Sequence, residues 1–235
     1  RQTAGRGRLG RSWETAQTSA LTVSLGLTMA PVDWSGLSLV VGLVLAQRLG
    51  HGVGIKWPND LWWRGRKLCG ILIETASTPE QAHAVAQAGR QAPRHVVVGM
   101  GINLATPADQ GLRTPPVGLD EILRTVNGPA PAAVTDGAAL AQAADASETT
   151  LDLAACAMAR FVPELVSALA LFEREGFAPF EAAYAELDLL RQQPVTLSDG
   201  RAGQCVGLAH DGALLVLIDG KVEAVQSGEV SVRPA

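Results

Sequence analysis

The sequence predicts an α+β fold: a mixed sheet with helices over residues 1–190, followed by a small β-barrel over residues 191–235. Three observations carry this. Residues 20–29 alternate, with Val23, Leu25, Leu27 and Met29 on one face and Thr22, Ser24, Gly26 and Thr28 on the other, the signature of a half-buried strand. Residues 34–50 are apolar nearly all round (Leu37, Val40, Val41, Val44, Leu45, Leu49), which suits a helix buried against a sheet. Finally, Asp199-Gly200, Asp211-Gly212 and Asp219-Gly220 are hairpin signals eight to twelve residues apart between Val- and Leu-rich runs. About 45 residues of that kind make a barrel too small to be secure alone, so it is expected to dock on the larger part.

The remaining elements follow in order. Strands are expected near 53–57, 68–75 and 95–103, the last two interrupted by Gly70, Gly99 and Gly101. Glycine inside a strand marks either a bulge or close approach by a ligand or another backbone. Residues 105–150 are rich in proline and alanine and predict a mobile loop, a short helix near 117–126 and a surface segment. Residues 151–174 carry a helical stripe (Ala154, Met158, Phe161, Leu165, Leu169, Phe172) with a kink expected at Pro163. Glu175-Gly176 ends that helix, and 179–190 makes another short one.

Composition bounds the function. With 47% hydrophobic and 18% charged residues the chain is an ordinary globular protein rather than a disordered one. A net charge of −4 makes no electrostatic case for nucleic acid as the main partner. Against that acidic background Arg1, Arg6, Arg8 and Arg11 crowd into eleven positions, which points to a local anion site. Cys69, Cys156 and Cys205 form no CxxC pair, and the four histidines (His51, His83, His95, His210) lack metal-ligand spacing. No uninterrupted apolar run reaches the ~18 residues of a membrane span and no signal peptide is evident, so a reducing, cytoplasmic setting is expected, with no membrane association.

Two segments carry the chemistry. In Arg6-Gly7-Arg8-Leu9-Gly10-Arg11, glycines allow a close backbone approach and arginines offer planar donors for carboxylate or phosphate. In Lys56-Trp57-Pro58-Asn59-Asp60-Leu61, a fixed proline φ, an amide and a carboxylate stand beside a lysine. Together they suit a site that grips an anionic small molecule.

These segments, Gln2-Thr3-Ala4-Gly5-Arg6-Gly7-Arg8-Leu9-Gly10-Arg11-Ser12-Trp13 and Lys56 to Leu61, together with Arg66-Lys67-Leu68-Cys69-Gly70-Ile71-Leu72-Ile73-Glu74, Gly99-Met100-Gly101-Ile102-Asn103 and Ser227-Gly228-Glu229-Val230-Ser231, resemble the bacterial biotin protein ligases. The resemblance implies a catalytic domain akin to class II aminoacyl-tRNA synthetases and an SH3-like terminal barrel. It also implies a reaction. Biotin and ATP give biotinyl-5′-AMP and pyrophosphate, and biotin then passes to a lysine of a biotin carboxyl carrier protein domain, of acetyl-CoA carboxylase or a related carboxylase, recognised as a folded unit. No covalent enzyme intermediate is needed.

The resemblance also assigns roles. Lys67 and Arg8 become the catalytic candidates, Lys67 at the biotin carboxylate and Arg8 on the phosphate side. Gln2, Gly5, Arg6, Gly7, Trp13, Gly70, Leu72 and Gly99 join them as biotin-site residues, with Trp13 and Leu72 as apolar walls. Arg6, Arg8, Arg11, Asn59, Asp60 and Asn103 are expected around the nucleotide, with Asp60 either near ATP-bound Mg²⁺ or in a structural role such as capping or pairing with Lys56. The family's Ser-Thr-Asn segment would precede residue 1, and no helix-turn-helix is expected within residues 1–235. A related lipoate or octanoate enzyme and a non-catalytic biotin sensor are the alternatives; the Lys-Trp-Pro-Asn-Asp motif and the barrel favour biotin over the first, and intact Lys67 and Arg8 argue against the second.

Overall fold

The computed structural model describes residues 5, 7, 20–76, 93–107, 114–126, 150–226 and 232–234. Arg6, Arg8, Arg11, Gln2 and Trp13 lie outside the described residues, as do His83 and the Ser227–Ser231 segment.

Strand β1 (Ala20–Met29) forms where the alternation placed it and is followed by α1 (Leu37–Leu49). Then come β2 (Gly54–Lys56), β3 (Asp60–Trp63), β4 (Arg66–Ala76) and β5 (Arg94–Asn103), giving a five-stranded sheet of order β1-β5-β4-β3-β2. Among the described residues its strand pairings are antiparallel, and isolated parallel bridges, Ile55 to Asp188 and Lys67 to Pro116, tie flanking chain to it. Strand β3 is absent from the sequence expectation. Trp57-Pro58-Asn59 makes a tight turn that sends the chain back on itself, so Lys56 pairs with Asp60 and the motif becomes a hairpin.

One face of the sheet is the core. Val96, Val98, Met100, Ile102, Cys69, Ile71 and Leu61 are all buried, and α1 lies over them. Gly42 of α1 faces the sheet: a Cβ there would stand in ordinary van der Waals contact with Ile71, Ile55 and Leu61 at 3.5–3.7 Å. Helix α2 (Leu119–Val126) follows, then α3 (Thr150–Glu175), which continues through Pro163 with the Ser167 hydroxyl donating to the Pro163 carbonyl. Its buried stripe is Leu153, Ala157, Phe161, Leu165, Leu169 and Phe172. The expected stripe therefore holds from Phe161 on but shifts by one residue before it: Met158 is exposed and Ala157 takes the inward position. By length and composition α3 is apolar enough to cross a membrane, with a mean hydropathy of 1.6.

A 3₁₀ turn (Ala178–Phe180) and α4 (Glu181–Leu187) lead to a second sheet built from β6 (Pro194–Leu197), β7 (Ala202–Leu208), β8 (Leu214–Ile218), β9 (Lys221–Val225) and β10 (Val232–Pro234), in the order β10-β6-β7-β8-β9. Asp219 and Gly220 both have positive φ (48° and 77°) and join β8 to β9 as a two-residue turn, the geometry that Asp-Gly favours.

The small sheet docks at the start of α1. Gly212 has φ +79°, and a Cβ on it would come within 2.9 Å of Leu39 and 3.0 Å of the Gly36 backbone. The buried Trp57 indole donates to the Gly212 carbonyl at 3.1 Å, and the Ser38 hydroxyl donates to the Pro58 carbonyl at 2.9 Å. The Trp-Pro turn thus touches α1 and the terminal sheet together.

Candidate active site

The second face of the large sheet, away from α1, holds the candidate residues. Side chains alternate across a strand, so Gly70 and Leu72 point opposite to Cys69 and Ile71. The register places Leu72 opposite Gly99 and Gly70 opposite Gly101, with Asp60 on the other side of Gly70 and Ser24 and Thr22 beyond Gly99 and Gly101. Three glycines and short hydroxyl side chains therefore make a shallow floor. At Gly99 a Cβ would stand 3.3 Å from the Leu72 carbonyl oxygen, so the cleared space lies directly over the strand backbone.

Lys67 reaches this face through a β-bulge. Simple alternation would put residue 67 with Cys69 and Ile71, facing the core. Between the pairs Leu61–Cys69 and Trp62–Lys67, however, β4 carries one additional residue, Leu68. An extra residue flips every later side chain to the opposite face. Leu68 and Cys69 are consequently both buried, and the Lys67 ammonium emerges beside Asp60, at 2.7 Å from Oδ1. The pair is neither deep nor loose: the side chains are 25% and 18% exposed. This ion pair joins Asp60 to Lys67; Lys56, the strand partner of Asp60, lies over the Trp62 ring at 5.2 Å.

Asn59 and Asn103 frame the pair. The Asn59 side-chain amide donates to the Ile71 carbonyl at 2.7 Å while the Asn59 main-chain carbonyl accepts from the Ile71 N–H at 2.9 Å, closing the motif turn onto β4. Asn103, 7% exposed, donates to the Lys67 carbonyl at 3.2 Å. Both amides thus hold the backbone that presents Lys67. The Cys69 thiol beneath them is held far above its ordinary range by burial, which disfavours the reactive thiolate; in the terminal sheet burial pushes Cys205 up to about 11.

Of the sequence candidates, Lys67, Asp60, Gly70, Leu72, Gly99, Asn59 and Asn103 come together here, while Gly5 and Gly7 are described only as half-buried loop residues. Gly101, Ser24 and Thr22 were missed. Strand parity was the signal available, since Gly101 is two residues from Gly99 and Ser24 lies on the polar side of β1. Among the described residues no cluster of three His, Cys, Asp or Glu could hold a metal. A cavity of about 190 Å³ between α4 and β7, lined among others by Tyr184, Asp188 and Val206, shares no residue with this face.

Comparison with known proteins bears on what the face is for. Residues 1–103 match the biotin/lipoate A/B protein ligase family. The biotin–[acetyl-CoA-carboxylase] ligase of Paracoccus denitrificans is 31% identical over 97% of this chain and 86% of its own length. The chain belongs to this ligase family. The bifunctional ligase/repressor BirA of Escherichia coli is 35% identical over the whole of this chain, which spans 65% of that relative's length. Among solved structures, the biotin protein ligase from Aquifex aeolicus in complex with biotin and ATP superposes with a TM-score of 0.70 at 21% identity, covering all of this chain and 87% of that one. The fold of this family member is thus that of a biotin protein ligase, with a mixed α+β body and a small antiparallel terminal sheet of the SH3-like kind.

Proposed function

We propose that this chain is an ATP-dependent biotin protein ligase that forms biotinyl-5′-AMP and transfers biotin to a lysine of a biotin carboxyl carrier domain. The observation that carries the reading is the Lys67–Asp60 pair at the edge of a glycine floor, in a chain that aligns along nearly its full length with a biotin–[acetyl-CoA-carboxylase] ligase.

The chemistry is a charge problem. A biotin carboxylate oxygen attacks the α-phosphorus of ATP, the bond to the β-phosphate bridge breaks, and pyrophosphate leaves. In the second step an acceptor lysine amine attacks the acyl carbon, AMP leaves, and the amine loses its proton. In the first step two anions meet, so a cation aimed at the reacting oxygens lowers the barrier more than it tightens ground-state binding. Lys67 is assigned that role from the described face and Arg8 from the glycine-arginine segment. Gly70, Gly99 and Gly101 leave room for the bicyclic ring of biotin, and Leu72 offers an apolar wall. Gln2, Gly5, Arg6, Gly7, Trp13 and Arg11 complete the proposed biotin and adenylate contacts.

Mg²⁺ would arrive with the nucleotide phosphates, which supply most of its ligands and need only a carboxylate or two from protein. Asp60 fits as that carboxylate, since its second oxygen is not the one holding Lys67. When bound, the ion offsets phosphate charge. Residues 1–190 are assigned as the catalytic domain and 191–235 as the terminal domain; free cysteines agree with a cytoplasmic setting.

Pyrophosphate release with ATP and biotin, set beside ATP with lipoate or octanoate, tests the assignment. Release with biotin alone is expected. Equal release with lipoate would move the chain to the neighbouring activity, and none with any acid would leave a sensor.

A further inference from the structure

We infer that the Arg66–Glu121 ion pair is a positioning clamp for Lys67, holding the bulge that turns the ammonium onto the open face. The inference deepens the proposed function and rests on its reading of Lys67.

The bulge interrupts the ladder where Lys67 sits, and β5 stops at Asn103, so this stretch of β4 needs another partner. A strap over residues 114–118 supplies it. The Lys67 N–H donates to the Pro115 carbonyl at 2.8 Å, and the Val117 N–H donates to the Lys67 carbonyl at 3.0 Å. The strap is itself fastened by Arg66, whose Nε donates to the Pro116 carbonyl at 3.0 Å and whose two terminal nitrogens both engage Glu121 on α2. Such a fork-to-fork pair fixes direction as well as distance. Thr106 completes the fastening: its hydroxyl donates to Glu121 at 2.6 Å and accepts from the Gly118 N–H at 2.9 Å. The crossing is tight, since a Cβ on Gly118 would lie 2.3 Å from the backbone of Ala105 and Thr106.

Arg66 and Lys67 are neighbours with opposite duties. One side chain grips α2 and the strap; the next is presented to the ligand face. Loosening the first lets the bulge relax toward regular pairing, which would point residue 67 at the core. Misplacement of a reacting group by about 1 Å can cost about a hundredfold in rate.

Single-turnover adenylation with biotin and ATP, measured beside biotin affinity, tests this in Glu121→Gln and in the milder Thr106→Val. Each is expected to slow adenylation roughly tenfold to a hundredfold with little change in biotin affinity. In a Lys67→Gln background the same changes should add less than about twofold, because residues acting through one group are not additive. Arg124→Gln, which removes the exposed pair with Asp120 on the same helix and the weakest of the charge effects on Glu121 while leaving the Arg66 and Thr106 hydrogen bonds in place, should change adenylation less than about twofold. If Glu121→Gln does not fold, Thr106→Val decides alone. Equal slowing on top of an already impaired Lys67→Gln would overturn the clamp and leave the role of Lys67 standing. Normal adenylation by Lys67→Gln itself would instead remove the role of Lys67 and this inference with it.

Discussion

The ammonium of Lys67 lies 2.7 Å from the Asp60 carboxylate, seven residues away in sequence and on the adjoining strand. The pair fixes the ammonium beside Asp60, next to the glycine floor where the proposed reaction takes place. Lys67→Gln is therefore expected to slow adenylation about 10²–10³-fold, roughly 2.7–4 kcal/mol at the transition state, with a smaller effect on biotin affinity. Lys67→Arg should restore only part of the rate, because a planar fork does not replace a point charge. Collapse of affinity with normal adenylation at saturating biotin would make Lys67 a binding residue.

Trp57 joins the motif hairpin to the terminal sheet through one buried bond to Gly212. Trp57→Phe keeps most of the packing but strands that carbonyl, which should cost about 1–3 kcal/mol in denaturant unfolding. Gly212→Ala should also destabilise, because it combines a left-handed φ with a 2.9 Å contact to Leu39. Unchanged unfolding midpoints in both variants would show that the sheet is not docked this way.

The pH dependence of the strap follows from Glu121. Hydrogen bonds from Arg66 and then Thr106 hold its carboxyl below the ordinary value of 4.5. A carboxyl depressed in the folded state stabilises fully above its unfolded value and loses that contribution as pH falls through the folded one. Wild-type unfolding should accordingly lose stability below about pH 4.5, and Glu121→Gln should flatten that part of the profile. Parallel profiles for the two proteins would exclude Glu121 as a source.

Helix α3 offers a contrast within one element. Phe161 is fully buried, whereas Met158 is 38% exposed. Phe161→Ala should cost about 3–5 kcal/mol, and Met158→Ala should stay within about 0.5 kcal/mol. Calorimetric or denaturant unfolding of the two variants distinguishes this stripe from the one that begins at Ala154.

What the sequence determined by itself was local. Alternation at 23, 25, 27 and 29 specified β1, the apolar density of 37–49 specified a buried helix, and Asp219-Gly220 specified a turn with two positive φ values; each follows from side-chain direction or backbone sterics within a few residues. The ordered motifs likewise named Lys67, Asp60, Gly70 and Asn103 without any contact being visible. Tertiary structure alone decided how they meet. Parity within β4 would send Lys67 into the core, and only pairing with β3 reveals the added Leu68 that reverses it. Asp211-Gly212 reads as a turn, yet Gly212 also carries the contact with Gly36 and Trp57, 155 residues from the latter. Arg66 and Glu121, 55 residues apart, read as ordinary surface charges until the strap brings them together. Cross-strand register and long-range ion pairs depend on how the whole sheet assembles, and that free energy is shared among residues no local window contains.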